Sequence, residues 1–539
     1  MRKINTKDGN YLFAVECFQK NNFEKTVELC KKILKYKKNE SEVNYLLALA
    51  LTQLKNYSEA LIELDEAFKI AKNKLKLHIL KGNIFRELKK YEDALSSFMA
   101  ALQIDKKSKD ALYWTAVTMY QMGQKNSALG IINEAIAISE ECKFLTFKAR
   151  CLDDLHCFKE AISQYDLIIN RDNKDVNSLL GKGDLLRRMF EYDLALQYVD
   201  KVLELDSKNI NAFMLKSVVY KDLQKIEESL QVLDELLIIK PKSEQANFNK
   251  SIILLQAGRL RQGWTQYEWR WKIKDWTSLP PQTIKPLWNG EKDGILFLWP
   301  EQGIGDEVMF ASIFNDLKRD VGKLIVKIDL RLMEIYKRSF PNITFISSKD
   351  NLNEYLFDYH LPIGSLPRFY RNELTDFDAS NSGFLLTNEI IDKEVKNRLS
   401  KYANKRKIGV SWRSKNPLSG LKRSVSLADI IAYINDEEAV FINLQYGDVN
   451  EEISELQRSG IEIINISEID NMKNIDGLLS IINGCDEVVS IDNSTVHFAG
   501  AIGKKTQVLM HESADFRWEM QGETTKWYKS LSLKRNIII

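Results

Sequence analysis

The stretch EQGIGDEVMF, residues 301 to 310, follows the apolar run GILFLWP and sets two glycines and an adjacent acidic pair at what reads as a strand-to-helix turn. Gly303 and Gly305 let the backbone turn tightly and come close to a ligand, while Asp306 falls at the helix start, facing a ligand or capping the helix. Neither a G-x-G-x-x-G fingerprint nor a P-loop is present: Val308 stands where a third glycine would be, and no G-K-[ST] follows. A dinucleotide or ATP site of those types is therefore not expected.

Two further stretches also follow apolar runs. VSWRSKNPLSGLKRSVSL, residues 410 to 427, presents Arg413, Lys415, Lys422 and Arg423 on a turn-rich loop. Such cations can hold a phosphate, and a solvated basic loop is the plain alternative. SIDNSTVHFAGAIGKK, residues 490 to 505, puts Asp492, Asn493, Ser494 and Thr495 just ahead of a small-residue helix. Free N–H groups and hydroxyls at such a start suit an anion. Asp492 suits a ribose hydroxyl or a cap, and His497 reads as a neutral hydrogen-bonding group.

Short apolar runs alternating with helical patterns must position these residues. Strands are expected at 295–299, 324–328, 408–412, 440–444, 461–464, 488–491 and 507–510. Helices are expected at 307–318, 331–338, 427–434, 451–458, 477–483 and 495–501. The alternation predicts parallel sheets with helices on both faces, divided by residues 393–407 into two similar halves. Ligands then belong outside the carboxyl ends of the strands.

The first half repeats itself instead. Small or hydroxyl residues recur at Thr26, Ala60, Ala94, Ala128, Ala161, Ala195, Ser229 and Gly263, in steps of 34, 34, 34, 33, 34, 34 and 34. Another small residue precedes each by twelve positions, from Ala14 to Ser251. Two small positions per period, with an apolar residue four places after the second, resemble the tetratricopeptide repeat: two antiparallel helices per unit, about eight units. Most of these residues read as core between repeats, and the concave groove suits an extended or helical peptide. Counting from the small positions places Asn83, Arg86, Tyr120, Asp184, Arg187 and Lys221 on that groove, with solvated helix face as the alternative.

The last unit ends in GWTQYEWRW, residues 263 to 271, whose aromatic residues cannot share one helix face. Pro280, Pro281 and Pro286 then bar a continuing helix. The expected domains are a solenoid over 1–273, a docked linker over 274–290, and α/β halves over 291–400 and 401–539.

The totals exclude several classes. Of 539 residues, 77 are Lys or Arg and 75 Asp or Glu, so a net charge of +2 gives no reason to expect nucleic acid or an anionic membrane. Six scattered cysteines without a C-x-x-C pair argue against a disulfide framework or a zinc site and suit a reducing cytoplasm. No signal-peptide core and no membrane-spanning apolar run is evident.

Taken together, GWTQYEWRW, EQGIGD, VSWRSKNP with KRS, IDNSTVHFAGAIG and DFRWEMQGETTKWY resemble bacterial fusions of tetratricopeptide repeats to a heptosyltransferase-like glycosyltransferase domain of the GT-B fold. The resemblance implies an acceptor-side first half and a sugar-nucleotide second half. Asp306 is then the base on an acceptor hydroxyl. Arg413, Lys422 and Arg423 neutralise the leaving phosphate. Asn493, Ser494 and Thr495 ligate it, with Gly303, Gly305, Asp492 and His497 also on the donor site. Glu307 stands where many relatives have Thr, so either carboxylate can be the base; Asp306 is preferred. The resemblance implies metal-independent transfer with a nucleotide sugar as cosubstrate and no cofactor. It also implies a protein acceptor bearing Ser or Thr, flagellin being one among relatives. Transfer to lipopolysaccharide or another glycan, and a scaffold with an inactive transferase domain, are the alternatives.

Overall fold

The computed structural model describes residues 9–37, 40–274, 276, 278–301, 303–380, 383–414, 423–510 and 515–535. The chain forms two compact units, Met1–Leu215 and Lys216–Ile539.

The first unit holds six complete helix pairs, from Gly9–Gln19 with Phe23–Tyr36 to Val176–Arg188 with Tyr192–Leu205. The small residues lie where the helices of a pair meet: Ala48, Ala60, Ala94, Ala116, Ala128 and Ala149 are fully buried. At Gly82 the approach is closest, since a Cβ there would meet the Phe98 ring at 2.5 Å. Each pair turns through one residue of left-handed conformation, at Asn21, Lys55, Lys89, Gly123, His156 and Phe190. These recur with the period of the repeat, yet only Gly123 and Asn21 are types that favour positive φ.

The second unit begins within the helix Ile210–Asp222 and continues through Ile226–Ile239, Glu244–Gln256 and Leu260–Tyr267. The last of these passes into a 3₁₀ turn over Glu268–Lys272, and its aromatic residues are divided among several partners. Trp264 donates to the Arg371 carbonyl at 2.9 Å, Tyr267 packs on Phe516, and Trp271 on Trp299. After the prolines, Trp288 donates its backbone N–H to the His360 carbonyl and His360 returns one to Pro286, so this segment runs beside a strand.

That strand belongs to a four-stranded sheet: β1 (Ile295–Trp299), β2 (Lys323–Lys327), β3 (Thr344–Ile346) and β4 (Tyr359–Pro362), in the order β3-β2-β1-β4. A second sheet contains β5 (Arg406–Ser411), β6 (Ala439–Asn443), β7 (Ile463–Ile464), β8 (Glu487–Ile491), β9 (Thr506–Met510) and β10 (Leu531–Arg535). Its order is β10-β9-β8-β5-β6-β7. All pairings within both sheets are parallel. The six-stranded order is that of a doubly wound sheet, whose strand order reverses between β5 and β8, the place where such sheets have a crevice at the carboxyl ends of their strands.

The differences from expectation have local causes. β3, β4 and β10 were not expected: β3 has three residues, β4 reads YHLP, and β10 alternates polar and apolar side chains, so none presents an apolar run. The expected helix 307–318 is two, Ile304–Ala311 and Phe314–Leu317, and the strand expected at 461–464 shortens to two residues. The dividing segment 393–407 begins inside a helix, Glu389–Leu399, whose Val395 and Leu399 pack on the end of helix Ile475–Gly484; a Cβ on Gly484 would meet both at 3.0 Å.

Candidate functional site

At the end of β5, Gln445 ties the chain down. Its Oε1 accepts from the Trp412 and Arg413 N–H groups at 2.8 and 2.7 Å and from Ser411 Oγ at 3.2 Å. Across the crevice, at the end of β8, Asn493 Nδ2 donates to Ser411 Oγ at 2.8 Å, while Asn493 Oδ1 accepts the Thr495 N–H at 3.0 Å and caps helix Ser494–Ala501. One amide thus fixes both sides of the crevice. Thr495 Oγ1 lies 3.4 Å from Ser411 Oγ, and Ser494 is half-buried beside it.

A chain of alternating charges lines the same place. Arg423 pairs with Asp492 at 3.1 Å and with Asp515 at 3.5 Å; Asp515 pairs with Arg517 at 2.5 Å; and Arg517 reaches Asp306 of the first half. Burial pushes the Asp492 carboxyl above its usual range, with Arg423 pulling the other way. Burial also acts to raise Asp515, but Arg517 and Arg423 together outweigh it and hold that carboxyl below the usual range.

Gly303 precedes helix Ile304–Ala311, and Asp306 accepts two bonds from Arg517, Nε to Oδ1 at 2.5 Å and Nη2 to Oδ2 at 2.7 Å. Glu307 turns elsewhere: it is buried, accepts the Asp329 N–H at 3.0 Å, and is pushed by burial up to about 8. The two adjacent carboxylates therefore have different surroundings, and only Asp306 joins the crevice cluster. Helix Ile304–Ala311 packs on helix Ser494–Ala501, where a Cβ on Gly305 would meet His497 Cδ2 at 2.9 Å, so this glycine serves a close helix contact. Around Gly303 the corresponding space is open. His497 shares a hydrogen bond of 3.1 Å with the Tyr528 hydroxyl and stacks on Trp518. Burial, with Arg517 nearby, drives its pKa down to about 3, so the ring is neutral.

Arg413 extends to Glu452 at 2.7 Å and to the Asp448 carbonyl at 3.0 Å. Lys415 and Lys422 lie outside the described residues. Of the expected groove residues in the first unit, Arg86 lies over the Trp114 ring at 4.8 Å and pairs with Glu87; Tyr120 accepts from Arg150 at 3.0 Å and donates to Asp154; and Asp184 pairs with Arg187 at 3.0 Å. Asn83 is half-buried beside Arg86 on the same helix. Lys221, in the second unit, pairs with Asp222 at 3.1 Å.

The sequence reading missed Gln445, Asp515 and Arg517. The last two lie in DFRWEMQGETTKWY, but a carboxylate and a guanidinium two residues apart carry no signal until the fold sets them opposite Asp306.

Residues 19–101 and 87–168 match the family model of anaphase-promoting complex, cyclosome, subunit 3, and residues 176–209 match the tetratricopeptide repeat model. The N-terminal region is a tetratricopeptide-repeat solenoid. The chain is also 28% identical to Protein FlbA of Caulobacter vibrioides over 299 residues, 52% of this chain and 50% of that protein, and so spans about half the length of this curated relative. Among solved structures, a repeat protein from Cytophaga hutchinsonii is 17% identical with a TM-score of 0.36, covering 44% of this chain and 97% of its own. One from Parabacteroides merdae is 15% identical with a TM-score of 0.37, covering 45% of this chain and 96% of its own. No helix among the described residues is long and apolar enough to cross a membrane.

Proposed function

We propose that the chain is a glycosyltransferase of GT-B type that moves a sugar from a nucleotide donor to Ser or Thr of a protein held by its repeats. The observation that carries the reading is the crevice between β5 and β8. There Ser411 meets Asn493 and Thr495, Arg423 pairs with the neighbouring Asp492, and Asp306, on the other sheet's first helix, joins the same charge cluster through Arg517. Such a reversal of strand order is where doubly wound sheets take phosphorylated ligands.

In the proposed reaction the acceptor oxygen bonds to the anomeric carbon as the bond from that carbon to the phosphate oxygen breaks. Asp306 receives the acceptor proton. Arg423 and Arg517 offset the charge that grows on the departing phosphate, as fixed dipoles and cations do for developing anions. No metal ion takes part in this scheme. Flagellin is the first acceptor to try, and glycolipid acceptors test transfer to lipopolysaccharide.

One observation favours a second reading, a repeat scaffold without catalysis: both carboxylate oxygens of Asp306 are engaged by Arg517, so neither is turned to an acceptor hydroxyl. A thermal-shift screen of the full chain against sugar nucleotides and free nucleotides separates the two. A ligand at one hundred times its Kd adds about 2.7 kcal/mol of stability. A shift with one donor family, followed by labelled-sugar transfer to a protein acceptor, supports the transferase. Absence of any shift supports the scaffold.

A further inference from the structure

The cluster at the crevice holds more carboxylates than guanidiniums among the described residues, three against two. Among the described residues, Asp306, Asp492 and Asp515 form their ion pairs with Arg423 and Arg517. All five are largely buried, with side-chain exposures of 11% for Asp306, 12% for Asp492, 23% for Asp515, 30% for Arg423 and 15% for Arg517. An anion entering there meets three described carboxylates whose two guanidinium partners are already engaged, and it competes with a carboxylate for a guanidinium.

The geometry points to which one. Asp515 and Arg517 are two residues apart, and Asp515 also accepts the Arg517 N–H at 3.3 Å, so that pair is tied locally. Asp306 comes from the other half of the α/β unit and reaches Arg517 only through the Nε and Nη2 edge. That edge is a planar fork that fits two phosphate oxygens as well as two carboxylate oxygens. His497, neutral and buried beside Gly305, offers no cation to replace it.

Resting on the transferase reading, we propose that Arg517 is shared between base and donor: it holds the Asp306 carboxylate until the donor phosphate takes the same fork. Donor binding then frees the carboxylate to accept the acceptor proton, so the base is withheld until the leaving group is in place. Arg517 becomes both a ligand of the leaving phosphate and the positioning residue for Asp306.

The test is a double-mutant cycle on the full chain, read by calorimetric affinity for inorganic pyrophosphate and for CMP, UDP and GDP. Replacing Asp306 with Asn leaves the fork without its competitor, and affinity rises about tenfold, a coupling of the size seen between directly interacting groups. In an Arg517→Gln background the same Asp306→Asn change gains less than about twofold. Arg517→Lys, which keeps the charge but not the fork, serves if Gln disturbs folding, and it too loses most of the gain. An equal gain from Asp306→Asn in both backgrounds overturns the shared fork while leaving the transferase reading intact. Binding of none of these probes to any variant overturns both.

Discussion

Arg270 and Glu301 form a bidentate ion pair with no exposed side-chain surface on either partner: Nε lies 2.6 Å from Oε2 and Nη2 2.9 Å from Oε1. Arg270 comes from the 3₁₀ turn that ends the last repeat, and Glu301 follows β1. The remaining donors and acceptors are met by Ser365, Glu268, the Tyr267 carbonyl and the Gly364 N–H, so the pair is fully hydrogen-bonded. Removing Glu301 leaves the buried guanidinium with only the partly exposed Glu268 as counter-charge. Glu301→Ala is expected to destabilise the second unit by about 3–5 kcal/mol, and the paired change Arg270→Met with Glu301→Leu to recover most of it. Tryptophan fluorescence during urea unfolding reads this directly, because nine of the ten tryptophans follow residue 215.

Glu307 sets a pH dependence whose sign follows from its folded pKa of about 8 against an ordinary 4.5. The folded chain keeps a proton that the unfolded chain releases, so this contribution is fully present below about pH 4.5, declines as pH rises, and is gone above about 8. Glu307→Gln should therefore match the parent at pH 5 and exceed it at pH 9 by on the order of 2–4 kcal/mol. Midpoints of denaturant unfolding at the two pH values check it, and equal offsets at both would contradict it.

The Gly305 contact predicts a steric effect. Gly305→Ala places a methyl 2.9 Å from the His497 ring, which is itself fixed by Trp518 and Tyr528. The expected cost is about 1–3 kcal/mol, and His497→Ala in the same chain should relieve part of it. Thermal unfolding of the single and double variants gives the answer.

Gln445 predicts a local effect on ligand binding. Gln445→Ala leaves the Trp412 and Arg413 N–H groups without their acceptor. The expected loss is about 1–3 kcal/mol of stability, with weaker binding of whichever nucleotide shifts the parent. Gln445→Glu, which keeps an acceptor oxygen, should retain more stability than Ala. Calorimetry and unfolding on the same samples separate the two effects.

In the solenoid, Lys89 holds φ at 60° in an exposed turn. Lys89→Gly is expected to stabilise the first unit by about 0.5–1 kcal/mol, since the left-handed strain it removes exceeds the added chain entropy of glycine. Helical circular dichroism on heating reads it. A lower midpoint would show that the lysine side chain matters more than its backbone.

The sequence alone determined the repeats, because a period of 34 residues with paired small positions encodes the same local packing many times over. It also located β1, β5, β8 and the helix start at Asn493, since apolar runs and capping residues are local signals, whereas the helix expected from residue 307 starts at Ile304 with Asp306 inside its first turn. Three things required the tertiary structure. Lys55, Lys89, His156 and Phe190 take left-handed turns that their types do not favour, because the packing of each helix pair imposes the turn. β3, β4 and β10 form because neighbouring strands supply the ladder that their own sequences do not announce. Arg517 meets Asp306 across 211 residues of chain, and no spacing in a sequence records that meeting. Charge pairing depends on distance in space, and only the two parallel sheets, each bringing a helix start to the same crevice, set that distance.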